Sequence, residues 1–227
     1  WLEMWQDENS MNRFEDKFLK DQINRMGFES KSVHYHKLIT YEEGNKLEKR
    51  IKEFKEVDFL ALVINFVDIL GHSRSESNIL QEMVPDESAY RKAVCSWFKN
   101  GWLLNVLEEM STWDHTVFLT SDHGSTMVTK PVQVKGDRQT SSGIRYKYGR
   151  NIIIPDKAGL NIAEPEKYLL PKHDINTNYI IGKSGNFFIY PNEYHKFANR
   201  YINSFQHGGI SLEEMVIPIA ELKGKNA

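Results

Sequence analysis

The chain has 227 residues, 40% of them hydrophobic and 12% aromatic, which gives enough apolar surface for a packed core and excludes wholesale disorder. Lys and Arg number 29 against 31 Asp and Glu, so the net charge of −2 excludes a global field that gathers nucleic acid or membrane, though not a local basic patch. Cys95 is the single cysteine, which excludes an internal disulfide and a cysteine-based zinc knuckle and points to a reducing, cytoplasmic setting.

Met11, Phe14, Phe18, Ile23 and Met26 recur at intervals of three to five and predict a helix over 10–26, closed by Gly27. Lys31–Lys37 alternates as a short strand, with Val33 and Tyr35 on one side and His34 and His36 on the other. Thr40 and Glu43 form a capping box ahead of a helix marked by Leu47, Ile51 and Phe54. Asp58–Phe66 reads as a strand buried on both faces of a parallel sheet. The longest apolar run, Phe59–Val67, is strand-sized and far short of the ~20 residues that span a bilayer.

Polar residues from Ser73 to Asn78 lead into a short helix, and a longer helical stretch, Asp86–Met110, breaks near Gly101. Thr116–Thr120 is again a buried strand. Strand, helix, strand, helices, strand is the order of a three-layer α/β sandwich with a mostly parallel sheet. Beyond Ser125 the texture changes: Lys135–Arg150 is basic and polar, Ile152–Ile154, Tyr179–Ile181 and Asn186–Tyr190 read as strands, and Tyr194, Phe197, Tyr201 and Phe205 stripe a helix. Ser211 and Glu214 form a second capping box. The whole of 1–227 reads as one domain with an irregular basic insert at about 126–180. The chain opens on Trp1 with no basic-then-apolar leader, so no secretory signal is expected in it.

Three stretches place Asp or His where a strand ends or a loop turns: Asp68-Ile-Leu-Gly-His72, Ser121-Asp122-His123-Gly124, and Gln206-His207-Gly-Gly. A carboxylate at the carboxyl end of a buried strand faces the crevice where α/β sheets bind ligands. Each stretch alone has a plain explanation as a cap or turn; their joint occurrence favours a metal site. Two carboxylates and three imidazoles on loops suit zinc, manganese or iron, and paired divalent ions can clamp a phosphoryl group. A two-histidine-one-carboxylate oxygenase fits badly, because such sites begin His-x-Asp and this one runs Asp-x-x-x-His.

These three stretches resemble the metal-ligand series of the alkaline phosphatase superfamily, and Gln206-His-Gly-Gly-Ile-Ser-Leu-Glu-Glu-Met-Val-Ile-Pro218 resembles its PglZ branch. Asn65-Phe-Val-Asp68, Ser96-Trp97-Phe98, Gly136-Asp137-Arg138 and Arg145-Tyr-Lys-Tyr-Gly-Arg150 are similar to PorX-type response regulators, which join a receiver to a PglZ domain and control type IX secretion. The resemblance implies an alkaline-phosphatase-like fold, incomplete at its N-terminus, and two zinc ions, one held by Asp68, His72 and His207 and the other by Asp122 and His123. It implies a phosphodiesterase or phosphatase acting on a phosphorylated small molecule, nucleotide or oligonucleotide. A sensor kinase would act through the receiver, and a homodimer is a further expected assembly. The family's remaining Asp ligand and its Thr or Ser nucleophile come upstream of the Asp-x-x-x-His stretch; Asp7 and Ser10 are poor matches, so the chain as given is expected to bind metal yet turn over poorly. The competing expectation is a catalytically idle interaction or dimerisation module.

Lys135, Arg138, Arg145, Lys147 and Arg150 cluster in an otherwise acidic chain. Lys135, Arg138, Arg145 and Arg150 are candidate phosphate contacts, with Arg suited to bidentate binding, against the alternative of a solvated loop. His34 and His36 fit a polar strand face better than a ligand pair; His115, His173 and His195 read as surface residues, and Cys95 as packing.

Overall fold

The computed structural model describes residues 14–74, 77–136, 143–172, 174–192 and 194–224. Its content is mixed α/β, and the chain divides into two compact units. The first comprises Trp1–Ile69, Asp86–Val117 and Lys223–Ala227, and the second Leu70–Pro85 and Phe118–Leu222.

In the first unit a helix spans Glu15–Arg25. Strand β1 (Val33–Leu38) follows, then a helix over Tyr41–Arg50 that runs into a 3-10 turn over Ile51–Phe54. The expected capping box is present, with Glu43 N–H donating to Thr40 Oγ1 and the Glu43 carboxylate accepting from Thr40 N–H. Strand β2 (Phe59–Ile64) returns beside β1 in parallel register, Val33 opposite Phe59 and Leu38 opposite Ile64. That direction follows from the intervening helix, which carries the chain back to the starting edge. Two further helices, Glu87–Asn100 and Trp102–Met110, meet at Gly101 as the break in periodicity predicts. Leu38, Leu47, Ile51, Phe54, Trp102 and Val106 lead the apolar core that these elements share.

His34 is exposed, as a polar strand face requires, and His36 is half-buried; each meets the Phe54 ring edge-on, at 5.5 and 4.9 Å between centroids. Burial holds the His36 pKa below its ordinary value. His115 is partly buried against Trp113, whereas His195 is exposed and His173 lies outside the described residues. Cys95 is exposed on its helix, which corrects its reading as a packing residue.

In the second unit the supposedly irregular stretch at 126–180 is built of strands. After β3 (Thr116–Thr120), through which the division between the units passes, come β4 (Thr126–Val128), β5 (Lys130–Gln133), β6 (Tyr146–Arg150), β7 (Gly159–Ile162), β8 (Thr177–Gly182), β9 (Asn186–Ile189) and β10 (Ser204–Gln206). β6, β8 and β7 form an antiparallel sheet, β10 pairs antiparallel with β4, and β5 runs parallel to β9. Instead of one mostly parallel sheet, the strands form small sheets of two or three, in which β4–β10, β6–β8 and β7–β8 pair antiparallel and β1–β2 and β5–β9 pair parallel.

Ile152–Ile154 forms no strand; Ile153 makes an isolated bridge to Lys135 while Ile152 and Ile154 bury beside Val134, Ile180 and Phe188. The aromatic helix ends at Tyr201 rather than reaching Phe205. Asn203 takes φ +61, a left-handed conformation that Asn tolerates and that stops helix propagation, so Phe205 enters β10. No helix among the described residues is long and apolar enough to cross a membrane.

Candidate metal centre

Asp68 and His72 sit one turn apart on a single helix, Phe66–Arg74, and not on a loop as their spacing suggested. At that separation both side chains lie on one face of the helix. Asp68 belongs to the first unit, where its charge and, above all, burial push the Tyr90 hydroxyl up to about 12. The Tyr90 hydroxyl donates to the Val67 carbonyl at 2.8 Å.

The remaining ligand candidates all belong to the second unit. His72 Nε2 and His207 Nε2 face each other at 3.0 Å, with the rings nearly edge to face. His123 stacks on His207 at 3.8 Å between centroids and 12° between planes. Ring nitrogens of His123 and His207 lie within 4.8 Å of each other. His123 Nδ1–H donates to the Gly124 carbonyl at 3.0 Å, which fixes the tautomer and leaves the Nε2 lone pair available. The Asp122 carboxylate is exposed and 3.7 Å from that nitrogen. Three imidazoles thus meet where one or more divalent cations can take their lone pairs. Two histidine nitrogens on one tetrahedral zinc, at about 2.0–2.1 Å each, stand roughly 3.3 Å apart, close to the observed His72–His207 spacing.

The supports of this cluster explain its placement. His72 is carried by a helix that Arg74 ties down: the buried guanidinium donates to the carbonyls of Val84, Pro85 and Asn203, and its carbon lies 5.9 Å from the Phe205 ring on the strand that leads into His207. His207 is followed by Gly208 at φ +96, a left-handed geometry that a side chain would strain.

The basic residues separate. Arg145 is wholly buried: Nε and Nη2 donate to the Glu214 carboxylate at 2.8 and 2.5 Å, and the remaining donors reach the carbonyls of Gly182 and Asn186. Its donors are committed inside the unit, which corrects its reading as a substrate contact. Burial alone would raise the Glu214 pKa, but hydrogen bonds from Arg145, Ser211 and Gly209 outweigh it and the net direction is downward. Lys147 is also buried, with Nζ donating to the Gly143 carbonyl. Arg150 stays exposed and pairs with Asp174, and Lys135 is exposed. Arg138 lies outside the described residues, as do Asp137, Asp7 and Ser10.

The model of the BREX system PglZ alkaline phosphatase-like domain matches residues 2–222. The chain belongs to the PglZ family. No curated protein matches it. Within this PglZ domain, all three histidines of the second-unit cluster fall inside the matched range. Sequence reasoning missed Arg74 and the Arg145–Glu214 pair. The capping box that Ser211 and Glu214 predict is present, with Ser211 N–H donating to the Glu214 carboxylate; the second role of Glu214 depends on a partner 69 residues away.

Proposed function

We propose that this PglZ domain is a zinc-dependent phosphodiesterase module. The observation that carries the reading is the convergence of three imidazoles, with His72 and His207 turning Nε2 toward each other and His123 stacked on His207. Asp122, beside His123, and Asp68, one turn before His72 on the same helix, are the proposed carboxylate ligands. Zinc held there supplies Lewis-acid polarisation of phosphoryl oxygens. The Gly124 carbonyl keeps the proton of His123 on Nδ1, so that Nε2 stays a ligand. Lys135 and Arg150 are the exposed cations proposed to hold a phosphodiester such as a nucleotide or oligonucleotide. The stretches Asn65–Asp68 and Arg145–Arg150 support a further assignment, to the output domain of a PorX-type response regulator acting in type IX secretion.

The test is elemental analysis of the dialysed protein with a chromogenic phosphodiester assay, in which the chain as given should turn over poorly. At least one zinc per chain is expected, with His207→Ala weakening binding by more than the roughly 10–100-fold typical of residues that only support ligands. Folded protein that retains no metal overturns the reading. If it also self-associates equally well with and without His207, the interaction-module alternative gains its support.

A further inference from the structure

We infer that Glu214 is a positioning residue for the metal site, a clamp that sets His123 and His207 through the glycines downstream of each. The inference rests on the metal-binding reading above. Glu214 is buried in the second unit, and its bonds run to the loops that bear the imidazoles. Its main-chain carbonyl accepts from Gly124 N–H at 2.9 Å, and Gly124 adjoins His123. Its carboxylate accepts from Gly209 N–H at 2.9 Å, two residues past His207. The same carboxylate takes Ser211 N–H and Oγ–H at 3.0 and 2.7 Å, and Arg145 holds it from the opposite side.

Both loops press directly on this turn. A Cβ on Gly124 would lie 2.0 Å from the Glu213 carbonyl oxygen, and one on Gly209 would lie 2.3 Å from Arg145 Nη2 and 2.7 Å from Glu214 Oε2. Neither loop can shift toward the turn, and each is bonded to it, so the separation of the two histidine-bearing loops is fixed by one residue. The chemistry requires a carboxylate. Every group around it donates, and only an ionised acid offers acceptors alone. A glutamine of the same shape turns one acceptor into a donor aimed at N–H groups, which disturbs the loops without changing volume.

The experiment compares the whole chain with its Glu214→Gln and Ser211→Ala variants, using Co2+ as probe. Affinity is read by chelator competition, geometry from the visible absorption band, and folding from circular dichroism and thermal melting. The original chain should bind Co2+ with a structured band. Glu214→Gln should bind about 10–100-fold more weakly with an altered band, and Ser211→Ala should shift both in the same direction by less. A lower melting temperature with unchanged affinity and band in a folded Glu214→Gln overturns the inference, since only a structural role would give it. Should Glu214→Gln fail to fold, Ser211→Ala decides, and an unchanged band and affinity in that variant overturns it. Absence of Co2+ binding by the original chain is a separate outcome that removes the metal reading itself.

Discussion

The two units bury different things. Among the described residues, every buried polar or charged side chain belongs to the second unit, Arg74, Arg145, Lys147 and Glu214 included, while the buried residues of the first are apolar, headed by Trp102 and Val106. Ion pairs of the first unit such as Arg50–Glu53 and Lys46–Glu42 lie at the surface. Such exposed pairs add little, because water competes for both partners and two long side chains lose freedom. A buried charge is costly unless fully bonded, so a domain that retains several places them where loop geometry matters. In the second unit Arg74, Arg145 and Glu214 anchor the segments that carry His72, His123 and His207.

The largest expected effect breaks this distinction at its centre. Arg145→Ala leaves the Glu214 carboxylate buried without its guanidinium and should cost about 3–5 kcal/mol in urea denaturation. Arg50→Ala, at an exposed pair of the first unit, should leave the midpoint nearly unmoved. Replacing both partners, Arg145→Met with Glu214→Met, should recover much of the lost stability, because no lone charge remains. If the double variant is no better than Arg145→Ala alone, the pair matters through hydrogen bonds to its neighbours more than through its charge.

Local features were readable from the sequence wherever neighbours along the chain decide the outcome. Thr40 and Glu43 cap a helix three residues apart, Gly101 divides two helices, and the parallel pair β1–β2 follows from an intervening amphipathic helix. The ligand candidates were readable too, because Asp and His beside glycine stand out against apolar strands. What escaped depends on long-range partners. Arg145 and Arg150 look equivalent in a basic run, yet one is sealed against Glu214 and the other pairs with Asp174 at the surface. Asp68 and His72, read as loop residues after a strand, lie on a helix that persists to Arg74, whose buried side chain holds its end.

A smaller effect separates buried charges that hold loops from one that merely tolerates burial. Lys147 is 2% exposed, donates to the Gly143 carbonyl, lies 4.3 Å from the Tyr190 ring centre, and has its pKa lowered by burial to about 8. Between pH 8 and about 10.4 the unfolded chain holds this proton while the folded chain releases it, so stability rises with pH across that window. Lys147→Met should therefore be more stable at pH 7, by on the order of 3 kcal/mol before its lost contacts are subtracted, with the advantage fading by pH 10.5. Thermal melts at pH 7, 9 and 10.5 would show this convergence. A constant difference at all three would mean that packing rather than charge decides.

The smallest effect sharpens the other side. Asp58 is a well-tied surface carboxylate of the first unit, accepting from Lys31 Nζ at 2.8 Å and from Ser32 N–H at 2.8 Å where β1 and β2 begin. These bonds, that from Lys31 foremost, hold its pKa at about 2. With the folded value depressed, the stabilisation is complete above the unfolded pKa near 3.9 and disappears as pH falls toward 2. Asp58→Asn should thus lower the urea midpoint slightly at pH 7, less at pH 4, and not at all near pH 2. A gap that persists at pH 2 would show that the carboxamide disturbs the strand ends sterically. Either way the shift should stay well below that of Arg145→Ala, because Lys31 and Asp58 remain in contact with water and lose little hydration when they pair.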